Sequence, residues 1–497
     1  MIDTASSTVL CVDLDGTLVK SDTLIDSTLV LARQHPALLM KIPSWLTEGK
    51  ASFKRHITNS VTLDVVHLPY NRELLQFLEQ ERAQGRSIYL ATAADGALAQ
   101  RVADHLGLFD GVIASDGTNN LAGQNKLEAF RHRFGENFCY IGNASPDVPL
   151  LKVCRTPMVA NPTSGLLAAL RREKIVPVRT FTEKNSWLKA WFKALRIHQW
   201  AKNVLIFLPL LLGHALKKPA ITASLMAFFA FGLCASATYI VNDLLDIEAD
   251  RLHPRKRRRP FAAGDLSAIS GVMVIGLFLV ASFLTAVSIP WVELRLGSHS
   301  PGTNHFLGFT TPYSFLGWLV VYAITTLAYS LRLKRAVLVD VIVLSGLYTI
   351  RILAGSAATG VEVSTWLGSF SIFFFLSLAF VKRFAELENL RERGGASAKG
   401  RGYHIADIEQ LRSFGSASGY VSVAVLTLYI SNLDAAQLYN HTKRLWLLVP
   451  VLLLWISRLW LLASRGELDE DPVVYAITDK RSLLLGAIVA LIVLSAL

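Results

Sequence analysis

From about residue 203 to its end, the 497-residue chain carries apolar stretches of roughly 17 to 25 residues, one after another. Each is long enough to cross the hydrocarbon core of a bilayer, which takes about 20 apolar residues in a helix. Nine spans are predicted, at about 203–217, 219–245, 265–288, 312–331, 338–357, 364–381, 417–434, 444–463 and 480–497, the first of them short. Residues 1 to about 185 read differently, with short apolar runs, many charges and frequent glycine, as in a soluble α/β domain. The overall apolar content of 52% is therefore the average of two unlike parts, a soluble head and an all-α polytopic membrane body.

The net charge of +12 does not demand a nucleic acid. No basic repeat is interleaved with aromatics, and the cations gather in particular loops, where positive-inside bias accounts for them. With the head cytoplasmic, the inner loops contain "RLHPRKRRRP", "LRLKR", "KRFAELENLRERGGASAKGRGYHIADIEQLR" and "SRGELDEDPVVYAITDKR". The outer loops carry few positives, and the insert at 289–311 lies on that side with no function assigned. The four cysteines have no framework spacing and fit a reduced compartment. The first residues lack a charged region followed by an apolar one, so no cleaved signal peptide is expected. Between head and body, Trp187, Trp191, Phe192 and Leu195 recur at helical spacing with Lys189, Lys193 and Arg196 between them. That pattern predicts an interfacial helix, with a plain linker helix packed on the head as the alternative. The expected organisation is a head over 1–170 with a helical cap at about 22–85, a linker and interfacial helix over 171–202, and the membrane body over 203–497.

In the head, "TVLCVDLDGTLVKSDTL" is a buried strand, Val9 to Val12, that runs into a loop bearing Asp13 and Asp15. Open α/β sheets bind ligands at the carboxyl ends of their strands. A second strand, Ser87 to Ala91, ends in Thr92; Lys126 opens a helix; a third strand, Phe138 to Ile141, leads into "GNASPD" with Asn143 and Asp147. Carboxylates, a hydroxyl and a lysine at such positions can assemble a Mg²⁺–phosphate site. The four segments, in this order, resemble the haloacid dehalogenase phosphohydrolase superfamily, a Rossmann-like fold with a helical cap. The resemblance implies Asp13 as nucleophile, Asp15 as general acid and base, and Thr92 and Lys126 as holders of the phosphoryl group. It also implies Mg²⁺ on Asp13, on the Asp15 carbonyl and on the pair Asn143 and Asp147. The family usually has Gly-Asp where this chain has Gly142-Asn143, so a degenerate or regulatory head is the alternative.

In the body, "NDLLDIEADRLHPRKRRRP" closes the second span with Asn242, Asp243, Asp246 and Asp250, then six basic residues within nine positions. On one continuous helix Asp243, Asp246 and Asp250 stand at i, i+3 and i+7, one face that Asn242 joins. Three like charges on a face need a cation, and oxygen ligands at this density suit Mg²⁺; the plain alternative is a solvated helix end balanced by the cations behind it. This segment resembles the first aspartate-rich motif of the UbiA-type intramembrane prenyltransferases, whose architecture has nine spans. Together with "RIHQWAKNVLIFLPLL", "YSLRLKRAVLVD" and "AFVKRFAEL", it resembles their polyprenyl-phosphate phosphoribosyltransferase branch. Where aromatic prenyltransferases carry a second acidic motif, this chain has Lys382, Arg383 and Glu386. The resemblance implies Asp243 and Asp246 in catalysis and Mg²⁺ on Asn242, Asp243, Asp246 and Asp250. Lys202, Lys256, Arg259, Lys334, Lys382 and Arg383 would meet phosphates, with Glu386 beside them, and Tyr329 and Asn203 would add hydrogen bonds.

The combined expectation is a bifunctional enzyme of the inner or plasma membrane, its head and both active sites on the cytoplasmic side, with one Mg²⁺ in each domain. The body would move 5-phosphoribose from phosphoribosyl pyrophosphate to a polyprenyl phosphate lipid, and the head would remove the 5-phosphate. No nucleic acid is expected, and the oligomeric state is not predicted. Two alternatives remain: a prenyltransferase with a prenyl diphosphate donor and an aromatic or lipid acceptor, and a transporter or scaffold with a sensing head.

Overall fold

A computed structural model of the chain describes residues 8–182, 186–296, 305–306, 309–392, 402–468 and 472–497. It divides into two compact units, Met1–Leu195 with Tyr239–Val274, and Arg196–Thr238 with Ile275–Leu497.

In the first unit, short apolar runs that are buried on both sides become parallel strands, because such runs can be covered only by helices on either face. Strands β1 (Val9–Val12), β2 (Ile88–Asp95), β3 (Gly111–Ser115), β4 (Phe138–Gly142), β5 (Pro157–Ala160) and β6 (Arg179–Phe181) form one sheet. Their order is β3-β2-β1-β4-β5-β6 and every pairing is parallel. Alternate residues feed two cores: Leu10, Val12, Leu90 and Ile141 on one face, Cys11, Ala91, Phe138 and Tyr140 on the other. The chain leaves β1 toward β2 on one side while β4 lies on the other, so the carboxyl end of β1 is a switch point of the sheet. The amide of Asp13 extends the β1–β4 pairing by donating to the Ile141 carbonyl at 3.0 Å, which places Asp13 at that point. Strand β2 runs past its expected end, so Thr92 lies inside it, at a register shift between Ala91 and Asp95.

The connection from β1 to β2 is helical, with helices Thr23–Gln34, Ile42–Thr47, Lys50–Ser60 and Arg72–Ala83. The first begins where the Asp22 carboxylate accepts from the amides of Leu24 and Ile25. Helix Trp187–Leu195 buries Ala190 and Ala194 and leaves Trp187, Leu188 and Phe192 exposed, the amphipathic arrangement expected of the linker. Residues 183–185 of that linker lie outside the described residues.

The second unit is built of helices. Among the described residues, seven helices of the chain are long and apolar enough to cross a membrane: Lys218–Leu245, Ala268–Arg295, Ser314–Leu331, Val339–Thr359, Thr365–Arg391, Ile405–Ile430 and Thr442–Ser464. The ninth expected span is an apolar helix of 17 residues, Lys480–Ala496. The first expected span is not one helix. Residues Ile197–Phe207 form a tight 3₁₀ segment, followed by a five-residue helix, Leu208–Leu212, with Pro209 in its first turn. Parts of the inner loops at 393–401 and 469–471, and the insert at 297–304 and 307–308, lie outside the described residues.

Helix contacts in this unit run through small residues, as they do where lipid supplies no hydrophobic drive between helices. At Gly355 a Cβ would sit 2.0 Å from the carbonyl oxygen of Ile206, so the 3₁₀ segment crosses helix Val339–Thr359 backbone to backbone. At Gly346, on the same helix, a Cβ would meet nothing within 4 Å. Gly355→Ala is therefore expected to destabilise the purified protein by about 2 kcal/mol or more. Gly346→Ala should leave it unchanged or slightly firmer. Thermal unfolding midpoints of the two variants in detergent check this, and equal midpoints would remove the close crossing.

Candidate functional site

The acidic loop after β1 is shaped by Gly16. This residue has φ 73, and a Cβ there would lie 1.9 Å from the Asn143 side-chain nitrogen. The left-handed turn and the missing side chain let the "DLDGT" loop approach the "GNASPD" loop closely. Asp13, Asp15, Thr92, Lys126, Asn143 and Asp147 all line one cavity of 420 Å³, as the sequence predicted of a single site.

Within it, Lys126 Nζ donates to Asp13 Oδ1 at 2.8 Å and to Tyr140 Oη at 3.0 Å, and lies 3.9 Å from Asp147. Tyr140 Oη donates to Asp147 Oδ1 at 2.7 Å, and Asp147 Oδ2 accepts the amides of Asn143 and Ala144, each at 3.0 Å. Both oxygens of Asp147 are thus engaged in holding the loop. Asp13 Oδ2 accepts from the Thr17 hydroxyl at 3.4 Å, and Asp15 Oδ1 accepts the Thr23 amide at 2.7 Å. Burial pushes the Asp13 carboxyl up to about 6 although Lys126 opposes it. Burial, with Asp22 nearby, pushes Asp15 up to about 7. A carboxyl that holds its proton near neutrality can give it to a leaving alkoxide. Burial works against the charge of Lys126, but Asp13 and Asp147 outweigh it and leave the lysine above its ordinary range. Thr92 Oγ1 accepts the Ala94 amide at 3.0 Å, which fixes its rotamer at the cavity.

The sequence reading missed two participants here. Lys54, from helix Lys50–Ser60, reaches the cavity and donates to the Ala93 carbonyl at 2.6 Å and to Asn120 Oδ1 at 2.7 Å; burial lowers its pKa. Its only signal was the cationic run in the helical connection. Tyr140 alternates inward on β4 beside Lys126, a placement that depends on strand register and leaves no motif.

The second acidic group does not lie on one unbroken helix as expected. Helix Lys218–Leu245 ends just before Asp246, which caps the next helix, Ile247–Leu252. The turn stays nearly helical, since the Asp246 amide still bonds to Asn242 at 2.9 Å and the Asp250 amide to Asp246 at 2.8 Å. Asp243 and Asp250 therefore still converge, and Arg259 bridges them with Nη1 at 3.1 and 2.6 Å. Asp246 pairs with Arg33 of helix Thr23–Gln34 at 2.9 Å. Arg259, expected to meet phosphate, is thus the cation that this acidic face holds. Lys256 is exposed in the turn Lys256–Arg258. Among the described residues no three acidic, His or Cys side chains form a preformed metal cage. Both acidic sets are nevertheless all-oxygen, the donor chemistry that Mg²⁺ takes.

In the helical unit, the expected residues fall into two groups. Arg383, 1% exposed, gives Nε to Asp340 at 2.5 Å, Nη2 to Tyr329 Oη at 3.0 Å and Nη1 to Glu386. Tyr403 donates to the other oxygen of Asp340 and accepts the Leu338 amide at 2.9 Å. Arg383 is therefore held on three sides rather than presented as an open phosphate ligand. Lys334 lies in the turn Leu333–Arg335, and Lys382 precedes Arg383 on its helix. The second group is the 3₁₀ segment. Asn203 Oδ1 accepts from Arg351 Nε at 3.0 Å, while Asn203 Nδ2 is buried without a hydrogen-bond partner among the described residues. Lys202 Nζ lies 5.6 Å from the centre of the Tyr348 ring. Asp340 closes the quoted run "YSLRLKRAVLVD", yet neither it nor Arg351 was singled out, because an isolated ionisable residue in a span shows nothing of its partner.

Residues 204–484 match the UbiA prenyltransferase family. The uncharacterized protein y4nM of Sinorhizobium fredii is 37% identical over 486 residues, 97% of this chain and 89% of that one. The decaprenyl-phosphate phosphoribosyltransferase of Mycobacterium tuberculosis is 36% identical over 215 residues, 42% of this chain and 63% of that one. The structure of phosphoserine phosphatase in its apo form is similar at 13% identity and TM-score 0.26, over 36% of this chain and 94% of that one. By this family match, which spans more than half of its length, the chain belongs to the UbiA prenyltransferase family.

Proposed function

We propose that the protein is a bifunctional enzyme of the cytoplasmic membrane face. Its body would transfer 5-phosphoribose from phosphoribosyl pyrophosphate to a polyprenyl phosphate, and its head would hydrolyse the 5-phosphate of the product. The observation that carries this reading is the cavity where Asp13, Asp15, Thr92 and Lys126 converge in a chain that also bears the aspartate run Asp243, Asp246 and Asp250. The kinship to a decaprenyl-phosphate phosphoribosyltransferase supports the substrate class of the body. The positive loops listed along the sequence support a cytoplasmic head. Division of the chain into a head over 1–170, a linker over 171–202 and a body over 203–497 belongs to the same proposal.

In the head, an oxygen of Asp13 attacks phosphorus, the bond from phosphorus to the sugar oxygen breaks, and Asp15 gives its proton to the departing alkoxide. Water then attacks the aspartyl-phosphate and gives a proton to Asp15, so that inorganic phosphate leaves and both carboxyls return to their first state. Lys126, and Thr92 through its hydroxyl, hold the phosphoryl oxygens. Asp13, the Asp15 carbonyl and Asn143 would hold Mg²⁺, and Asp147 keeps their loop in place. In the body, a lipid phosphate oxygen attacks C1 of the ribose while the bond from C1 to diphosphate breaks. Asn242, Asp243, Asp246 and Asp250 would hold Mg²⁺ there. Bound in either site, the metal stabilises charge that develops on phosphate oxygens. For Asp243 and Asp250 to serve as ligands, Arg259 must turn its guanidinium from the carboxylates toward phosphate, a bidentate partner of similar strength. Lys202, Lys256, Lys334 and Lys382 supply further positive charge, and Tyr329 and the buried amide of Asn203 supply hydrogen bonds.

A second reading is favoured by the state of Arg383. Held by Asp340, Glu386 and Tyr329, it removes one cation from the set that distinguishes ribosyl from prenyl transfer. The alternative is transfer of a prenyl group from a prenyl diphosphate. Purified protein given labelled phosphoribosyl pyrophosphate and labelled farnesyl diphosphate in separate reactions, with polyprenyl phosphate and Mg²⁺, distinguishes the two by which label enters the lipid.

Three outcomes are expected. Asp243→Ala should lower ribosylated lipid by about a hundredfold or more, and an unchanged yield would end the transferase assignment. Asp13→Asn should still make the lipid but accumulate its 5-phosphorylated form, seen as a mass difference of one phosphate. Chelation of divalent metal should stop both steps and added Mg²⁺ should restore them; full activity in excess chelator would refute the metal assignments.

A further inference from the structure

The phosphatase cavity has an apolar side that phosphoryl transfer itself does not require. Beside the carboxylates and lysines it is lined by Ile247, from within the aspartate run, and by Phe261, Leu266 and Ile269, from the stretch that follows it. That stretch is firmly held. The buried guanidinium of Arg251 pairs with buried Asp26 at 2.8 Å, and its Nε donates to the Ala262 carbonyl at 3.1 Å. Trp191 stacks edge-on against Phe261 with ring centres 6.2 Å apart. At Gly264, with φ 72, a Cβ would lie 2.7 Å from the Cβ of Lys20, so the backbone passes close against the loop after β1.

The wall leads somewhere. Ile269 stands in the first turn of Ala268–Arg295, a helix long and apolar enough to cross a membrane. Ile269, Val272 and Met273 are 55%, 57% and 64% exposed and sit at i, i+3 and i+4, so they form one apolar stripe that begins at the cavity. The cavity also offers more cations than one phosphomonoester needs: Lys126, which pairs with Asp13, and in addition Lys20 and Lys54. A substrate that matches all three features has a terminal phosphate, a second phosphate and an apolar chain.

We propose that residues 247–273 form the wall that selects a lipid-borne substrate for the head. The phosphomonoester would enter toward Asp13, the phosphodiester that links sugar to lipid would meet Lys20 and Lys54, and the isoprenoid chain would lie on Leu266 and Ile269 and leave along Val272 and Met273. This rests on the phosphatase reading above and adds the residues that decide which phosphate is cleaved. It also gives the Arg251–Asp26 pair a purpose, since that pair fixes the wall to the helix that follows the catalytic loop.

The test uses the full-length protein in lipid nanodiscs and follows phosphate release from farnesylphosphoryl-ribose 5-phosphate and from ribose 5-phosphate. The unmodified protein should prefer the lipid-linked substrate in kcat/KM by about a hundredfold, and Ile269→Ser with Met273→Ser should cut that preference about tenfold, mainly through KM. Ile269→Leu, which keeps the apolar surface, should retain it. Equal use of both substrates by the unmodified protein, or an unchanged preference in the serine variant, overturns the proposal while Asp13-dependent release keeps the phosphatase reading. Release no greater than that of Asp13→Asn from either substrate removes both.

Discussion

Neutralisation of carboxylates that lie away from bulk water is the constraint on which this structure turns. An unpaired charge in such surroundings costs several kcal/mol, so each must meet a cation or a dense set of donors. Asp13 meets Lys126, Asp26 meets Arg251, Asp243 and Asp250 meet Arg259, and Asp340 meets Arg383. The pairs are not equivalent. Asp340 with Arg383, and Asp26 with Arg251, are almost wholly buried and carry further hydrogen bonds, so they hold elements together. Loss of one partner in such a pair costs about 3–5 kcal/mol. Asp13 and the aspartates at 243 and 250 share cations with a cavity or a turn, where a phosphate and its metal can take the place of the internal partner.

The same constraint gives the carboxylates of the head different surroundings. Asp147 has both oxygens engaged by a tyrosine hydroxyl and two amides, and it shapes the loop. Asp13 has one oxygen 3.4 Å from the Thr17 hydroxyl, and Asp15, half-buried and near Asp22, holds its proton toward neutrality. Two carboxyls two residues apart thus sit in the different surroundings that the proposed nucleophile and acid need. Asn143, which departs from the family pattern, lies with its side-chain nitrogen against Gly16 and still lines the cavity.

Much of the head was legible before the structure, because each of its motifs sits at a strand end and strand ends of a parallel sheet meet at the switch point. Val9–Val12 and Phe138–Ile141 were placed to within a residue, and the six marked residues share one cavity. Lys54 and Tyr140 were not legible, since one arrives from a helix whose docking angle no local pattern encodes and the other depends on strand register. In the body, apolar length located most spans, but it could not reveal that Ile197–Phe207 winds as a 3₁₀ segment, a choice tied to the backbone contact at Gly355. Nor could charge alone show that Arg383 faces Asp340, because the two are 43 positions apart.

The sequence by itself determined two classes of donor set and two classes of solvent: an acidic cluster at the strand ends of a parallel sheet, and an aspartate run at the end of a membrane-length helix. Spacing along one strand end or one helix turn is a local property, and local properties survive translation into structure. Tertiary structure alone decided which cation each carboxylate holds, and that Phe261, Leu266 and Ile269, after the aspartate run, also line the cavity of Asp13 and Asp15. Those outcomes depend on contacts between separate segments of the chain, where burial and charge pairing, rather than local pattern, select the arrangement.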